Sequence, residues 1–261
     1  MAALSNLAAA LASGGLVGFA LGLVGGGGSI LATPLLLYVV GVSQPHIAIG
    51  TSALAVSVNA FANLVGHARS GNVRWRCALV FAGVGTSGAL AGSSLGKMID
   101  GERLLFLFGL LMFLVGTLML RPHQATASPE RPADLRTCLM TAAVALAAGM
   151  ASGFFGIGGG FLIVPGLILA TGMPMIKAIG SSLLAVGSFG LATALNYAIS
   201  GLVDWPIALE FIAGGVMGGI VGMTLANHLA TGRNALSRIF AALIFVVAAY
   251  VLYRSAGAFL A

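Results

Sequence analysis

Long apolar runs, separated by short polar loops, follow one another along the whole chain. They lie at 5–24, 29–40, 47–67, 77–95 and 103–120, and again at 137–155, 160–171, 177–199, 206–228 and 235–253. Most hold about 19–23 residues, enough for a helix that crosses ~30 Å of hydrocarbon. The second run of each set has only about 11–12 residues, or roughly 18 Å of helix. The pattern predicts an all-α polytopic membrane protein.

Each short run is preceded by a glycine cluster, which reads GGGGS at residues 25–29 and GIGGG at residues 156–160. Pro34 and Pro165 follow the two clusters at the same distance. Glycine in a helix interior costs roughly 1 kcal/mol relative to alanine, and lipid cannot satisfy the backbone groups that a break exposes. We therefore expect two broken helices whose irregular backbone lines a cavity enclosed by protein.

The two halves of the chain are repeats of one unit. A shift of 131 residues aligns the glycine clusters, and after one deletion the shift becomes 130. Residues 49–52 (IGTS) then match 179–182 (IGSS), and 70–75 (SGNVRW) match 200–205 (SGLVDW). Such long agreement with one gap predicts two transmembrane repeats, 1–121 and 137–261. A cytoplasmic linker at 122–136 joins them.

The distribution of basic residues discriminates between two topologies. If all five segments of a repeat cross the membrane, the second repeat is inverted; if the short segment is re-entrant, the repeats are parallel. With the N-terminus outside, the inverted arrangement places nine of the twelve Lys and Arg residues in the cytoplasm, against seven for the parallel one. The positive-inside rule therefore favours inverted repeats.

Composition agrees with this class of protein. The chain is 59% hydrophobic and 7% charged, with a mean hydropathy of +1.07, which leaves too little charge for the surface of a soluble domain. The net charge of +6 is scattered over short loops, so we interpret it as a topology signal and expect no nucleic-acid partner. Cys77 and Cys138 are expected to be packing residues, and no metal or cofactor is expected.

The glycine breaks are the first candidate for chemistry. The first N–H groups of a helix lack intrahelical partners, and the helix dipole adds positive potential there. Two such ends that face each other would bind an anion without a buried Lys or Arg. The alternative to anion binding is that the glycines only allow close helix packing, which we expect at Gly88 and Gly92.

Polar residues on the third segment of each repeat are the second candidate. Thr51 and Ser52, and their counterparts Ser181 and Ser182, could donate to ligand oxygens or could bond to helices instead. The predicted substrate-binding set, with no catalytic or metal-binding residue, is Gly26, Gly27, Gly28, Ser29, Thr51, Ser52, Asn59, Asn63, Ile157, Gly158, Gly159, Gly160, Ser181 and Ser182.

Asn59, Asn63 and His67 share one helix face because they are four residues apart. The matching residues of the second repeat are Phe189, Thr193 and Tyr197. A histidine at a helix end is more often interfacial than a proton carrier. An enzyme is not expected, because the clusters lack the Lys-Ser/Thr ending of a P-loop and Ser52 is about 22 Å from His67 along one helix.

The paired halves, the glycine break followed by proline, the Ile-Gly-Thr/Ser-Ser motif and the Ser-Gly-x-Val-x-Trp loop resemble the TauE/SafE sulfite exporter family. The resemblance covers essentially the whole chain. It implies a multi-pass permease of the bacterial inner membrane for sulfite, sulfoacetate, other sulfonates or related carboxylates. The two glycine clusters differ in sequence. The parts of the site that they contribute need not be equivalent.

These observations together predict a secondary transporter for a small sulfur-containing anion. The alternatives are a passive anion channel of the same fold, a permease for small carboxylates and, from a different class, a membrane scaffold. The expected partners are the anion and the lipid bilayer, and a homodimer is left open.

Overall fold

The computed structural model describes residues 2–120, 135–156, 160–229 and 245–253. All regular elements in these ranges are helical, and no strand occurs among them, which confirms the all-α class. Most of the predicted linker, residues 122–134, and the residues Ile157, Gly158 and Gly159 lie outside the described ranges.

The order of the helices follows the predicted apolar runs. The elements are α1 (Ala2–Val24), a 3₁₀ helix (Gly25–Leu31), α2 (Ala32–Leu35), a π-helix (Leu36–Val40), α3 (Pro45–Arg69), α4 (Trp75–Gly96), α5 (Gly101–Leu120), α6 (Leu135–Phe155), α7 (Gly160–Thr171), α8 (Met175–Ile199) and α9 (Trp205–Leu229), followed by helical residues 245–253.

Five stretches of the described chain are long and apolar enough to cross a membrane. They are Asn6–Val40, Pro45–Arg69, Trp75–Gly96, Met175–Ile199 and Trp205–Leu229. The first of them joins α1 to the short helical turns after the first glycine cluster.

The chain reverses direction at the first glycine cluster. Gly25 has a φ of +69°, a conformation that side chains disfavour. A Cβ at Gly28 would overlap the backbone of Ala20 and Leu21, which in a continuous helix would lie about 10 Å away along the axis. Residues 25–40, here called the first short segment, therefore run back beside α1.

The first short segment is irregular along its whole length. It passes from 3₁₀ turns through one α-helical turn to π-helical turns. Pro34 lies in its centre and lacks an N–H, so it removes one helical hydrogen bond there. The second short segment, α7, keeps α-helical geometry in its described residues in spite of Pro165.

Glycines form the closest helix contacts. On α1, Gly14, Gly18 and Gly22 lie against the backbone of α9 at Phe211, Gly215 and Gly219. On α4, Gly85, Gly88, Gly92 and Gly96 lie in the same way against α6, from Ala145 to Phe154. Because the numbers rise together, each pair of helices is parallel. A Cβ at any of these glycines would overlap the partner helix, so the packing role expected for Gly88 and Gly92 agrees with the contacts.

The contacts of one half recur in the other. Gly18 meets Gly215, and the residues shifted by 131 and 130 positions, Gly149 and Gly85, meet each other. The first helix of each repeat, α1 or α6, thus packs on the fourth segment of the opposite repeat, α9 or α4. Small residues at such crossings let helix backbones approach closely.

The central pair of helices, α3 and α8, is antiparallel. Ser57 donates to the carbonyl of Gly187 at 2.7 Å, whereas Gly50, earlier on α3, lies against Tyr197, later on α8. Contacts of α3 with α9 and of α4 with α8 run parallel. Consequently α1, α3 and α9 point one way and α4, α6 and α8 point the other. Repeat-related helices have opposite directions, as an inverted repeat requires; their orientation in a membrane stays a prediction.

Candidate functional site

The first glycine break is buried and is held by the other repeat. Residues 25–30 are all buried. The N–H of Gly26 donates to Ser182 Oγ of α8 at 3.2 Å, and Ser29 Oγ donates to the carbonyl of Gly26 at 2.8 Å. A Cβ at Gly25 would lie 2.8 Å from Ser182 Oγ. A residue larger than glycine would therefore separate the break from the serine.

The second break has an equivalent neighbour. Gly156 has a φ of +65°, and a Cβ there would overlap Ile49 of α3, just as Gly25 touches Ile179 of α8. Ser52, the counterpart of Ser182, bonds to Thr33 Oγ1 at 2.8 Å and donates to the carbonyl of Ile49 at 2.9 Å.

The first residues of the two breaks lie apart along α3. Gly156 lies at Ile49 of α3. Gly22, just before the first break, contacts Asn63 and His67. From Ile49 to Asn63 is fourteen residues of α3, or about 21 Å. Because Ile157, Gly158 and Gly159 lie outside the described residues, the expectation that the two glycine clusters face each other around one anion stays a prediction.

The two residues of each hydroxyl pair contact different parts of the structure. Thr51 Oγ1 accepts the N–H of Asp204 at 2.9 Å, and Ser181 Oγ accepts the N–H of Arg74 at 2.8 Å. Both acceptor bonds hold the loop that precedes α9 or α4 in the other repeat. Among the described residues, Ser182 bonds to Gly26 in the first break and Ser52 bonds to Thr33 in the middle of the first short segment, so one residue of each pair meets that segment.

The polar face of α3 is turned toward α1 and α9. Asn59 and Asn63 lie against Gly215 and Gly219, and Asn63 Nδ2 donates to the carbonyl of Asn59 at 2.9 Å. The amide of Asn59 is fully buried, and neither of its polar atoms has a partner among the described residues. Buried orphan amides are rare and costly, which keeps Asn59 a candidate ligand group.

His67 contacts the last turn of α1. Its Nε2 lies 3.0 Å from the carbonyl of Gly22, three residues before the first break, and its ring is fully buried. The matching face of α8 is also buried, and the hydroxyls of Thr193 and Tyr197 have no partner among the described residues.

One polar cluster was missed by the sequence analysis. Lys97, at the end of α4, donates to Asn196 and Ser200 of α8, and Asn196 Nδ2 donates to Ser93 Oγ at 2.7 Å. A signal for it was present, because the position shifted by 130 residues holds the neutral Asn227. The two equivalent positions therefore differ in charge.

The site thus offers backbone N–H groups, hydroxyls and amides to a ligand. Among the described residues, no group of three His, Cys, Asp or Glu side chains could hold a metal ion. This inventory suits a polar solute that needs hydrogen-bond donors.

Comparison with known proteins identifies the family. The family model described as sulfite exporter TauE/SafE matches residues 10–251. The chain belongs to the TauE/SafE family. This match confirms the resemblance seen in the sequence motifs, and similar proteins are named probable membrane transporter proteins rather than enzymes.

Relatives from several bacteria match nearly the whole chain. A probable membrane transporter protein of Xylella fastidiosa (strain Temecula1) is 62% identical over 253 residues, 97% of both chains. The probable membrane transporter protein YunE of Bacillus subtilis is 26% identical over 230 residues, 80% of this chain and 84% of its own. One from Haemophilus influenzae is 28% identical over 233 residues, 85% of each chain. No solved structure matches the chain.

Proposed function

We propose that this protein is a secondary transporter that carries sulfite, sulfoacetate or another small organosulfonate across the bacterial inner membrane. The observation that carries the proposal is the buried bond between the N–H of Gly26 and Ser182 Oγ, which joins a glycine break to the opposite repeat. The family description, sulfite exporter, supports the substrate class.

The anion is held by groups that carry no full charge. The donors at the first break are the N–H of Gly26 and the hydroxyls of Ser29 and Ser182, all in buried residues. In this structure they donate to Ser182 Oγ and to the carbonyls of Gly26 and Ile179, respectively, so an anion would take the place of these acceptors. An anion that loses its water needs such fixed donors in compensation.

We propose two half-sites for the anion. One consists of residues 26–29 with Ser182, and the repeat equivalence assigns the other to the second glycine cluster, which begins at Gly156 next to Ile49 of α3. Because repeat-related helices run in opposite directions, each half-site belongs to one end of the bundle. We propose that the anion passes between them as the repeats rock, with Asn59 and Asn63 lining the first half.

A passive anion channel and a carboxylate permease remain the alternatives. A channel of this fold would use the same donors without a rocking motion, and backbone N–H groups do not by themselves distinguish sulfonate from carboxylate oxygens. Both alternatives are decided by measurement of flux and selectivity.

Stabilisation of the purified protein by anions tests the proposal. Sulfite, thiosulfate and sulfoacetate should raise its apparent unfolding temperature, because a ligand at a hundredfold excess over its Kd adds about 2.7 kcal/mol to the stability of the folded state. Taurine and acetate serve as comparison solutes. A response to acetate alone would favour the carboxylate permease, and no response to any sulfur oxyanion would contradict the proposal.

Gly27→Val locates the binding in the same assay. Gly27 is buried in the first break, and the added side chain should obstruct the approach of the anion, so that the stabilisation by sulfoacetate disappears. Gly27→Ala is the milder control and should retain part of it. Equal stabilisation of wild type and Gly27→Val would remove the break from the site.

A further inference from the structure

We propose that Lys97 forms an anion-released gate at the end of the bundle that carries the second glycine break. A small oxyanion of one or two negative charges binds the ammonium in exchange for its bonds to Asn196 and Ser200, and this loosens the last turn of α4 from the end of α8. The inference rests on the proposed function for the identity of the anion.

The bonds of Lys97 define a clasp between two helices. Its Nζ donates to the carbonyl of Asn196 at 3.2 Å, to Asn196 Oδ1 at 2.8 Å and to Ser200 Oγ at 2.9 Å. Asn196 in turn donates to Ser93 and Ser94 on α4. The clasp therefore ties the last turns of α4 and α8 together by their side chains.

The charge of Lys97 is not neutralised by this clasp. All three acceptors are neutral, and its ammonium makes no ion pair with a described residue. A charged donor bonds an anionic oxygen about twice as strongly as a neutral one. An entering oxyanion is therefore a better partner for Lys97 than Asn196 or Ser200.

The opposite end of the bundle shows that the clasp does not need a charge to hold the fold. There Asn227, the counterpart of Lys97, accepts from Asn72 Nδ2 at 2.9 Å and donates to Ser70 Oγ at 3.4 Å. The end of α9 and the loop after α3, which are the repeat equivalents of the ends of α4 and α8, are thus joined by neutral groups. The lysine adds a response to anions that the neutral clasp lacks.

The Lys97 clasp lies beside a buried cluster that adjoins the second break. Lys97 Nζ lies 5.8 Å from the ring centroid of Tyr197. Tyr197 is fully buried and forms a cluster with Ile49 and Leu104, against which Phe154 and Phe155 pack just before Gly156. An anion that displaces the clasp therefore reaches the Tyr197 side of this cluster.

Uptake and labelling on the full-length protein in proteoliposomes test the gate. Thr193→Cys, one turn deeper than Tyr197, reports access in a background with Cys77 and Cys138 replaced by alanine. The probe anion is sulfoacetate, since sulfite itself consumes maleimides. Sulfoacetate should speed maleimide labelling at this position by at least about twofold in the presence of Lys97.

Lys97→Asn, which copies the neutral clasp, should abolish that response and raise the KM for sulfoacetate by about tenfold, as expected for the loss of a charged hydrogen bond. Lys97→Arg should keep both. Arg103→Asn, which removes an exposed basic residue at the same end, should change neither. Asn196→Asp supplies a competing carboxylate and should slow labelling below the wild-type rate.

Two results would overturn the gate. One is a Lys97→Asn protein with wild-type KM and wild-type labelling response; the other is normal transport without any effect of sulfoacetate on labelling. The proposed function fails separately, if the wild type neither transports sulfoacetate nor is stabilised by it.

Discussion

Adjacent serines on α8 serve different neighbours. Ser182 receives the N–H of Gly26 in the first break, whereas Ser181 receives the N–H of Arg74 in the loop before α4. Successive residues of a helix point about 100° apart, so both bonds form without competition. Ser181 therefore holds a loop, whereas Ser182 is the hydroxyl that we propose for the anion site.

Ser182→Ala should weaken the binding of sulfoacetate by about 0.5–1.5 kcal/mol, or roughly two- to tenfold, because one neutral hydrogen bond is lost. Ser181→Ala should lower the stability of the protein and leave the affinity unchanged. Titration calorimetry on both variants measures the difference. If the two substitutions change affinity equally, Ser182 has no special place in the site.

The sequence predicted the breaks and the hydroxyl motifs but not this division of labour. Four glycines in a row are costly in a helix, so the breaks at Gly25 and Gly156 could be located from the sequence. Which of Thr51 or Ser52 meets a short segment depends on the rotation of α3, and that is fixed by its packing against α8. No local pattern contains that rotation.

Among the elements, the short segments determine where the site can be. The first short segment turns back beside α1 at Gly25 and reaches Thr33, which bonds to Ser52. The start of the segment thus approaches Ser182, and its middle approaches Ser52, the equivalent serine of the other repeat. This path through the interior is the structural reason for proposing that an anion can pass from one half-site to the other.

The directions of the helices predict that Ser70 and Lys177 lie on the same side of the membrane. The bond from the N–H of Arg74 to Ser181 Oγ places the loop after α3 beside the first turns of α8. Ser70→Cys and Lys177→Cys, in a background without native cysteines, should both react with an impermeant maleimide added from the cytoplasmic side. Arg103→Cys should react from the other side.

Labelling of Ser70→Cys and Lys177→Cys from opposite sides would disprove the inverted arrangement.

The all-helical class and the order of the apolar helices could be predicted from the sequence, since hydrophobic length measures a membrane crossing. The bounds of the two repeats stay a prediction. The fold-back at Gly28 could not be predicted, because it is a contact with the preceding helix and not a local preference.

At the scale of the whole molecule, the opposite directions of repeat-related helices explain why Gly25 and Gly156 lie apart. Equivalent residues of such repeats lie at opposite heights unless they are at the midplane. Gly22, just before the first break, and Gly156 contact different ends of α3, about 20 Å apart. The sequence showed the equivalence of the two breaks, but their heights depend on the directions of the helices.

The Lys97 clasp also becomes understandable only at this scale. Lys97 and its partner Asn196 are about a hundred residues apart in the chain, and their contact results from the parallel packing of α4 and α8. The sequence alone shows only that Lys97 has a neutral counterpart, Asn227. The two ends of the fold therefore differ in charge at equivalent positions, which is the basis of the proposed gate at one end only.

Counterflow in proteoliposomes tests the central claim most directly. Vesicles that contain the purified protein are loaded with unlabelled sulfite and diluted into a trace of radiolabelled sulfite. A carrier for sulfur oxyanions predicts a transient accumulation of label above equilibrium, which vesicles loaded with chloride do not show. Entry of label without that overshoot would mean a channel, and entry no faster than into protein-free vesicles would contradict the account.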